Sequence, residues 1–237
     1  MDSHFYIAAD EKGFKGDTLD KLLAAGYYRM QHFMFTCNDT ALGNDLPVIP
    51  VFWLRTLVSQ CTFGKTANNI LKKCARFSVS VQSAYIDDEI ENLYALYKEW
   101  VPFSVSSTCT DYLHQQIFPQ PFHSMIVQVR DGRKLIAVGY FDKGHDSIAG
   151  IMNIYHPKYH TYSLGKLLIL QKLRFALSQR KSFYYTGYIS TGSTRFDYKT
   201  FPDPKAVEVL LPDKQQWVPY DLVSKAFLSE YYQEFLA

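Results

Sequence analysis

The sequence has almost no charge imbalance: 25 Lys and Arg face 23 Asp and Glu, for a formal net charge of +2. That excludes a global basic field of the kind that binds nucleic acid indiscriminately, so an anionic partner has to be held by a local patch. Cysteines are few and scattered. Cys37, Cys61, Cys74 and Cys109 form no C-x-x-C pair, and free thiols in a reducing compartment are the expectation. No stretch approaches the ~20 apolar residues needed to cross a bilayer. The opening MDSHFYIAADEKG lacks a basic segment followed by an apolar run, so no secretory leader is expected and the expected compartment is the cytoplasm. There is no internal repeat, no low-complexity linker and no G-x-S-x-G nucleophile motif.

Aromatic residues are what the chain has in plenty, 16% of it, with 18 Tyr and 17 Phe. Most such rings fill cores, and the rest offer stacking faces for bases. The candidates for a local cationic patch are Lys72, Lys73 and Arg76, and then Lys166, Lys172, Arg174, Arg180 and Lys181.

An early helix is expected over residues 17–28, capped by Asp17 and stopped by Gly26. The prolines of LPVIPVFWLR (46–55) predict an extended edge strand. A short helix over 68–73 precedes a period-two strand over 76–81. Residues 87–100 start with acids suited to a helix N-terminus and carry Ile90, Leu93, Tyr94 and Tyr97 at helical spacing. A second short helix is expected over 110–116. Two apolar runs flanking Asp131-Gly132 predict a hairpin, and SIAGIMNIYH a third strand. Ser163 is expected to cap a long helix with Leu164, Leu167, Leu168 and Leu173 on one face. FYYTGY and KAVEVLL read as strands, and a last helix starts near Tyr220.

This element order is that of the GNAT acyltransferases: α+β, a mixed, mostly antiparallel central sheet flanked by helices. It is preceded by a small α+β N-terminal region. The expected division is residues 1–80 and 81–237. In such sheets the functional cleft forms where neighbouring strands splay, and the long helix starts beside it.

Residues 124–220 carry a more specific likeness. GRKLIAVGYFD, IYHPKYHTYSLGKLLILQKLRFAL and FYYTGYISTGSTRFDYKTFPDP together resemble the C-terminal domain of arginyl-tRNA–protein transferases and their bacterial leucyl relatives. That family shows an AVGVFD strand, a YDP followed by an SLG helix start, and a YLGY strand running into YK and a proline. The matching positions are residues 137–142, Tyr155 and Pro157, Ser163 with Leu164 and Gly165, residues 185–188, Tyr198 with Lys199, and Pro204. More faintly, LDKLLAAGYYRM, LPVIPVFWLR and NNILKKCARFSV resemble N-terminal segments of the family.

The resemblance implies an aminoacyl-tRNA–protein transferase, moving arginine from Arg-tRNA to the N-terminal α-amine of proteins that begin with an acidic residue. Leucyl transfer by the same chemistry, or a catalytically silent tRNA- or protein-binding module, are the alternatives. An aminoacyl ester is already activated. The enzyme has only to position it, deprotonate the attacking amine and stabilise the oxyanion.

The resemblance assigns Ser163, Leu164, Gly165, Tyr185 and Gly187 to binding the aminoacyl end of the tRNA, and Tyr188, Tyr198 and Lys199 to catalysis. The helix start offers free N–H groups. Gly187 allows close backbone approach. Lys199 meets a phosphate or, with its pKa lowered, takes the amine's proton. Arg195 lies near enough in sequence to read an acidic acceptor residue. A single glycine at the helix start argues against a coenzyme A donor. The expected partners are charged tRNA and protein N-termini, with no cofactor beyond the aminoacyl-tRNA substrate and no membrane.

The likeness has gaps. The family's N-terminal half usually carries paired cysteines that bind a metal or an iron–sulfur cluster. Here Cys37 and His32 alone stand in that region, and no metal is expected. The family's double arginine after Gly26 is replaced by Tyr27, Tyr28 and Arg29.

Overall fold

The computed structural model describes residues 5–41, 47–103, 105–113 and 120–236. Its central device is the expected hairpin, β7 (Ser124–Asp131) with β8 (Lys134–Lys143). The two-residue loop is Gly132-Arg133, and Gly132 has φ 60°, the conformation a glycine supplies at the first position of a tight hairpin turn. β9 (Ser147–Tyr155) continues the antiparallel ladder. The chain then crosses over through α5 (Leu164–Ser178) into β10 (Phe183–Ser190), which runs parallel to β9.

The remaining elements are α1 (Asp17–Ala24), β1 (Phe5–Ile7), β2 (Tyr28–Met30), β3 (Phe33–Thr36), β4 (Asp39–Ala41) and β5 (Val48–Leu57). They are followed by α2 (Lys65–Lys73), β6 (Ser78–Ser83), α3 (Asp88–Trp100), α4 (Cys109–Leu113), β11 (Val207–Leu211), β12 (Gln216–Pro219) and α6 (Lys225–Phe235). The large sheet has the order β12-β11-β5-β10-β9-β8-β7-β6, with β4 added beside β5, and a small sheet has the order β1-β3-β2. This is the GNAT-like arrangement expected from the sequence: a mixed, mostly antiparallel sheet with helices on both faces.

Alternation along each strand sorts the core into two layers. Phe52, Leu54 and Val58 of the β5 region face the side covered by α2, α5 and α6; Val51 and Trp53 face the side covered by α1 and the small sheet. Ile126, Val138, Tyr140 and Ile154 pack with Ile90, Leu93 and Tyr94 of α3 and with Leu113 of α4.

Several expectations shift. β5 is not an edge strand: it lies between β10 and β11, with Val51, Phe52, Trp53 and Leu54 buried. Its prolines are tolerated because the ladder with β10 begins at Val51, past Pro50, which pairs with Asp39 of β4. Helix α1 stops at Ala24, before Gly26 with φ 84°, so Tyr28 stands in a strand. The last helix begins at Lys225, where Ser224 caps it by accepting from the Phe227 N–H. Asp87, the first of the acids expected at this helix N-terminus, caps α3, accepting from Ile90 N–H at 2.9 Å. The short helix ends at Leu113 among the described residues; positions 114–116 of the expected span lie outside them.

Two buried charges tie the layers together. Arg29 of β2 donates to Asp142 Oδ1 (2.9 Å), Ser124 Oγ (2.9 Å), the Gln31 carbonyl (2.7 Å) and the Leu113 carbonyl (2.6 Å). Its guanidinium lies over the Phe122 ring at 4.3 Å. One side chain thus joins the small sheet to β7, β8 and α4. Lys172, counted from the sequence among the patch cations, is instead 1% exposed. Its ammonium donates to the Tyr140 carbonyl (2.7 Å), Asn153 Oδ1 (2.9 Å) and the Met152 carbonyl (3.3 Å), while burial pushes its pKa down to about 7. Gly139 makes room for this cage, because a Cβ there would stand 2.7 Å from Asn153 Oδ1.

Removing one partner of a buried ion pair strands the other charge, at a cost of about 3–5 kcal/mol. Arg29→Met is therefore expected to destabilise strongly in urea denaturation, and Arg29→Met with Asp142→Asn to recover part of the loss. A double variant no more stable than the single one would refute this account.

Candidate functional site

β10 and β9 pair only over Phe183, Tyr184 and Tyr185, opposite Ser147, Ile148 and Ala149. Beyond that point the strands part and leave a wedge. A bulge between Tyr185 and Gly187 lies on β10 just there. The peptide groups at the fork are met by Tyr28, whose hydroxyl bonds to the carbonyls of Gly150 on β9 and Tyr185 on β10. The wedge therefore opens where a side chain from the N-terminal region replaces the missing ladder.

Lys199 comes from the 3-10 segment Asp197–Thr200, which packs along β10 and β5 beside the wedge. Its Nζ stands 4.5 Å from the centre of the Tyr188 ring and 4.8 Å from that of Phe196. It lies 2.8 Å from where a Cβ on Gly187 would be. Tyr188 is held edge-on between Trp53 (5.3 Å) and Phe196 (5.1 Å). Among the described residues, no carboxylate forms an ion pair with Lys199. Burial, and then the neighbouring Arg195 charge, push its pKa down to about 7. It can give up and take back a proton near neutrality.

An aromatic wall lines the approach. Tyr155, at the end of β9, packs edge-on against Tyr97 (5.3 Å) and Trp100 (5.6 Å) of α3. Arg195 lies over the Phe103 ring at 3.9 Å. Tyr198 is 48% exposed, yet its phenol is pushed up to about 12, by burial first and then by Tyr112, Tyr188 and Tyr155. The hydroxyl end is thus the enclosed one. Thr186, in the β10 bulge, has a buried hydroxyl with no partner among the described residues.

The first turn of α5 sits at the mouth. Ser163 precedes it in the left-handed conformation, φ 54° and ψ 44°, and its side chain makes no capping bond, contrary to the expectation of a serine cap. The first internal bond of the helix runs from Leu167 N–H to the Ser163 carbonyl. The N–H groups of Leu164, Gly165 and Lys166 thus precede the helix ladder. Gly165 packs against Tyr155, its Cβ position 3.4 Å from Cε1, and Lys166 Nζ lies 5.2 Å from the Phe201 ring. Gly187, Tyr188 and Lys199 thus meet at β10, and Gly165 reaches Tyr155 of the aromatic wall. The side chains of Leu164 and Tyr185 lie elsewhere: Leu164 is in the core under α5, and Tyr185, on the same face as Tyr188 but before the bulge, packs against Trp217 at 5.8 Å.

The sequence did not single out Tyr28, Trp53, Phe103 or Thr186, because their placement depends on strand pairing and not on local pattern. The thiols offer no nucleophile. Burial pushes Cys37, Cys61 and Cys109 up to about 12 and raises Cys74. Among the described residues, no three His, Cys, Asp or Glu side chains converge as metal ligands would.

Residues 89–208, from α3 to β11, match the family described as arginine-tRNA-protein transferase, C terminus. The chain is 31% identical over 206 residues to an aspartate/glutamate leucyltransferase of Shewanella sp. (strain MR-7), covering 84% of this chain and 79% of that one. The chain belongs to this family of aminoacyl-tRNA–protein transferases. A relative with the same description from Hahella chejuensis is 25% identical over 152 residues, 62% of each chain. Among solved structures, FemX superposes with a TM-score of 0.47 at 7% identity, covering 81% of this chain and 65% of that one. The C-terminal domain of a putative lysylphosphatidylglycerol synthetase from Agrobacterium fabrum gives 0.46 at 12%, covering 78% and 56%. The wedge, its aromatic wall, Tyr188 and Lys199 all fall inside the family match. No helix among the described residues is long and apolar enough to cross a membrane.

Gly187 has φ 96°, which side-chain-bearing residues rarely adopt, and its missing Cβ is the space that Lys199 occupies. Gly187→Ala is expected to cost about 1–3 kcal/mol and to expel the Lys199 amine. Thermal denaturation and lysine-selective modification at neutral pH measure the two effects. A variant with wild-type stability and reactivity would refute the close fit.

Proposed function

We propose that the protein transfers an amino acid from aminoacyl-tRNA to the N-terminal α-amine of proteins beginning with Asp or Glu. The observation that carries this reading is the placement of Lys199: a lysine near half-protonation, held against Tyr188 and Phe196 at the mouth beside the α5 start. The terminal adenosine stacks on the wall formed by Tyr155, Trp100 and Tyr198. The ester carbonyl lies near the free N–H groups of Leu164 and Gly165.

Neutral Lys199 accepts the proton of the acceptor amine as its nitrogen attacks the carbonyl carbon. The tetrahedral oxyanion is held by N–H and hydroxyl donors, for which the Tyr188 and Thr186 hydroxyls are the candidates. Collapse expels the 3′ oxygen of the tRNA, which receives a proton, and an amide is left. No cofactor enters.

Leucine is the better-supported donor. The curated relatives at 30–31% identity are described as aspartate/glutamate leucyltransferases. The Arg195 cation, whose charge is felt at Lys199, suits an acidic acceptor and repels an arginine side chain. The arginyl reading rests on the description of the matching family.

Incubation with labelled Leu-tRNA or Arg-tRNA and a peptide beginning with Asp tests the proposal. Label passing to the peptide from Leu-tRNA is the expected result; transfer of neither amino acid would reduce the protein to a binding module. A base is active when deprotonated, so transfer rises with pH through about 7. The acceptor amine, titrating near ~8, adds a second rise. Lys199→Arg keeps the charge but cannot serve as the base, and is expected to lower kcat by about 100-fold or more. A Lys199→Arg protein with the wild-type rate and pH profile would remove Lys199 from the mechanism.

A further inference from the structure

The near-neutral net charge conceals a strong segregation. Residues 46–86 and 147–196 contain no Asp or Glu at all, in a chain with 23 of them. The fold lays parts of these two segments side by side. Helix α2, the 3-10 segment Pro157–Tyr162 and helix α5 have no acidic residue among them, and they carry Lys72, Lys73, Lys158, Lys166 and Arg174 at exposed positions. The opposite face is acidic instead, with Asp17 and Asp20 on α1 and Asp88, Glu89, Glu91 and Glu99 on α3.

Contacts make this layer continuous with the wedge. Lys73 Nζ donates to the Thr161 carbonyl at 2.7 Å and lies 5.3 Å from the Tyr162 ring, which joins α2 to the segment leading into Ser163. Lys166, in the first turn of α5, lies over Phe201, two residues beyond Lys199. Two carboxylates stand at the border: Asp131 is taken up by Arg76 at 3.3 Å and by the Tyr159 hydroxyl at 3.1 Å, and Asp203 accepts from the N–H and hydroxyl of Thr62. A row of cations therefore runs from Lys199 outward across α5 to the end of α2.

We propose that this acid-free layer is the surface on which the duplex part of the tRNA lies, with its phosphates against Lys73, Lys158 and Lys166. This rests on the transferase reading above, since that reading puts the 3′ end of the tRNA in the wedge. Phosphate contacts fix the register of a nucleic acid without reading its sequence, and the counterions they release make binding salt-dependent. The layer's cations lie along α2 and α5, so the stem approaches over these helices. The α3 side, with its carboxylates, is left to the acceptor protein.

The test is binding of uncharged tRNA, followed by fluorescence anisotropy across a salt series. Three proteins are compared: wild type, Lys73→Glu/Lys158→Glu/Lys166→Glu, and a control with the same charge change outside the layer, Lys12→Glu/Lys15→Glu/Lys21→Glu. Thermal melts confirm that all three fold. The layer variant is expected to bind at least about tenfold more weakly, with a salt slope shallower by about one per lysine. The control is expected to stay close to wild type.

Unchanged affinity and slope in the layer variant, or an equal loss in the control, would overturn the proposal. The two readings fail separately. A wild type that binds tRNA through these lysines but transfers no amino acid sinks the transferase reading and keeps the surface. A wild type that transfers, beside a layer variant that binds as tightly, sinks the surface and keeps the transferase.

Discussion

The parting of β9 from β10 is the constraint around which the rest of the molecule is arranged. Two parallel strands that separate inside a sheet expose peptide groups that must find partners or water. Tyr28 answers this at the fork by bonding to a carbonyl on each strand. Burial raises its phenol well above the ordinary range, so the bridge keeps its proton at any physiological pH. Because Tyr28 comes from the small N-terminal sheet, that sheet is a wall of the cleft. Arg29, the next residue, anchors the same strand to Asp142 in β8. Adjacent residues of one short strand thus hold the fork open and fix the layer that holds it.

In the proposed reaction the wedge acts on an ester already activated. A glycosidase or hydrolase site would present paired carboxylates or a nucleophile with its base. Here the thiols have raised pKa values and stay neutral, and the reactive-range group described beside the wedge is a lysine. An ammonium held against two aromatic faces keeps some cation–π attraction, but that does not replace the hydration it loses. Burial first, and then the Arg195 charge, lower the lysine pKa. Gly187 is what lets the amine come so close to the strand.

How much of this was legible in the sequence depended on the range of the interactions. The β7–β8 hairpin, the α3 cap at Asp87 and the apolar face of α5 are local, and their patterns survive without tertiary context. β5 was misread as an edge because two prolines dominate its local pattern. Its neighbours β10 and β11 lie more than a hundred residues away, and the ladder that makes it interior begins just after Pro50. Lys172 looked like a surface cation because a lysine in a helix usually is one. Only its position opposite the β8–β9 pair, where Asn153 and two carbonyls converge, shows it to be a core residue. At the site, Gly187, Tyr188 and Lys199 were found through family-like motifs. Those motifs did not show that Tyr185, three residues before Tyr188, shares its face of the sheet, because the bulge at Thr186 resets the alternation between them. Ser163 illustrates the same limit: its residue type signals a cap, but its left-handed backbone leaves the side chain out of that role.

The bulge also explains why Tyr185 and Tyr188 fall on the same side of the sheet although three residues apart. In an unbroken strand, residues i and i+3 point to opposite faces. One extra residue in β10 restores Tyr188 to the face of Trp53, and the same insertion turns Gly187 into the positive-φ position that Lys199 fills. Removing Thr186 would therefore do more than delete a hydroxyl. It would rotate Tyr188 away from Trp53 and Phe196, bring a regular strand up against the lysine, and close the wedge from within. The irregularity in β10 is thus the means by which an otherwise ordinary strand carries the aromatic ring and the basic amine to one place.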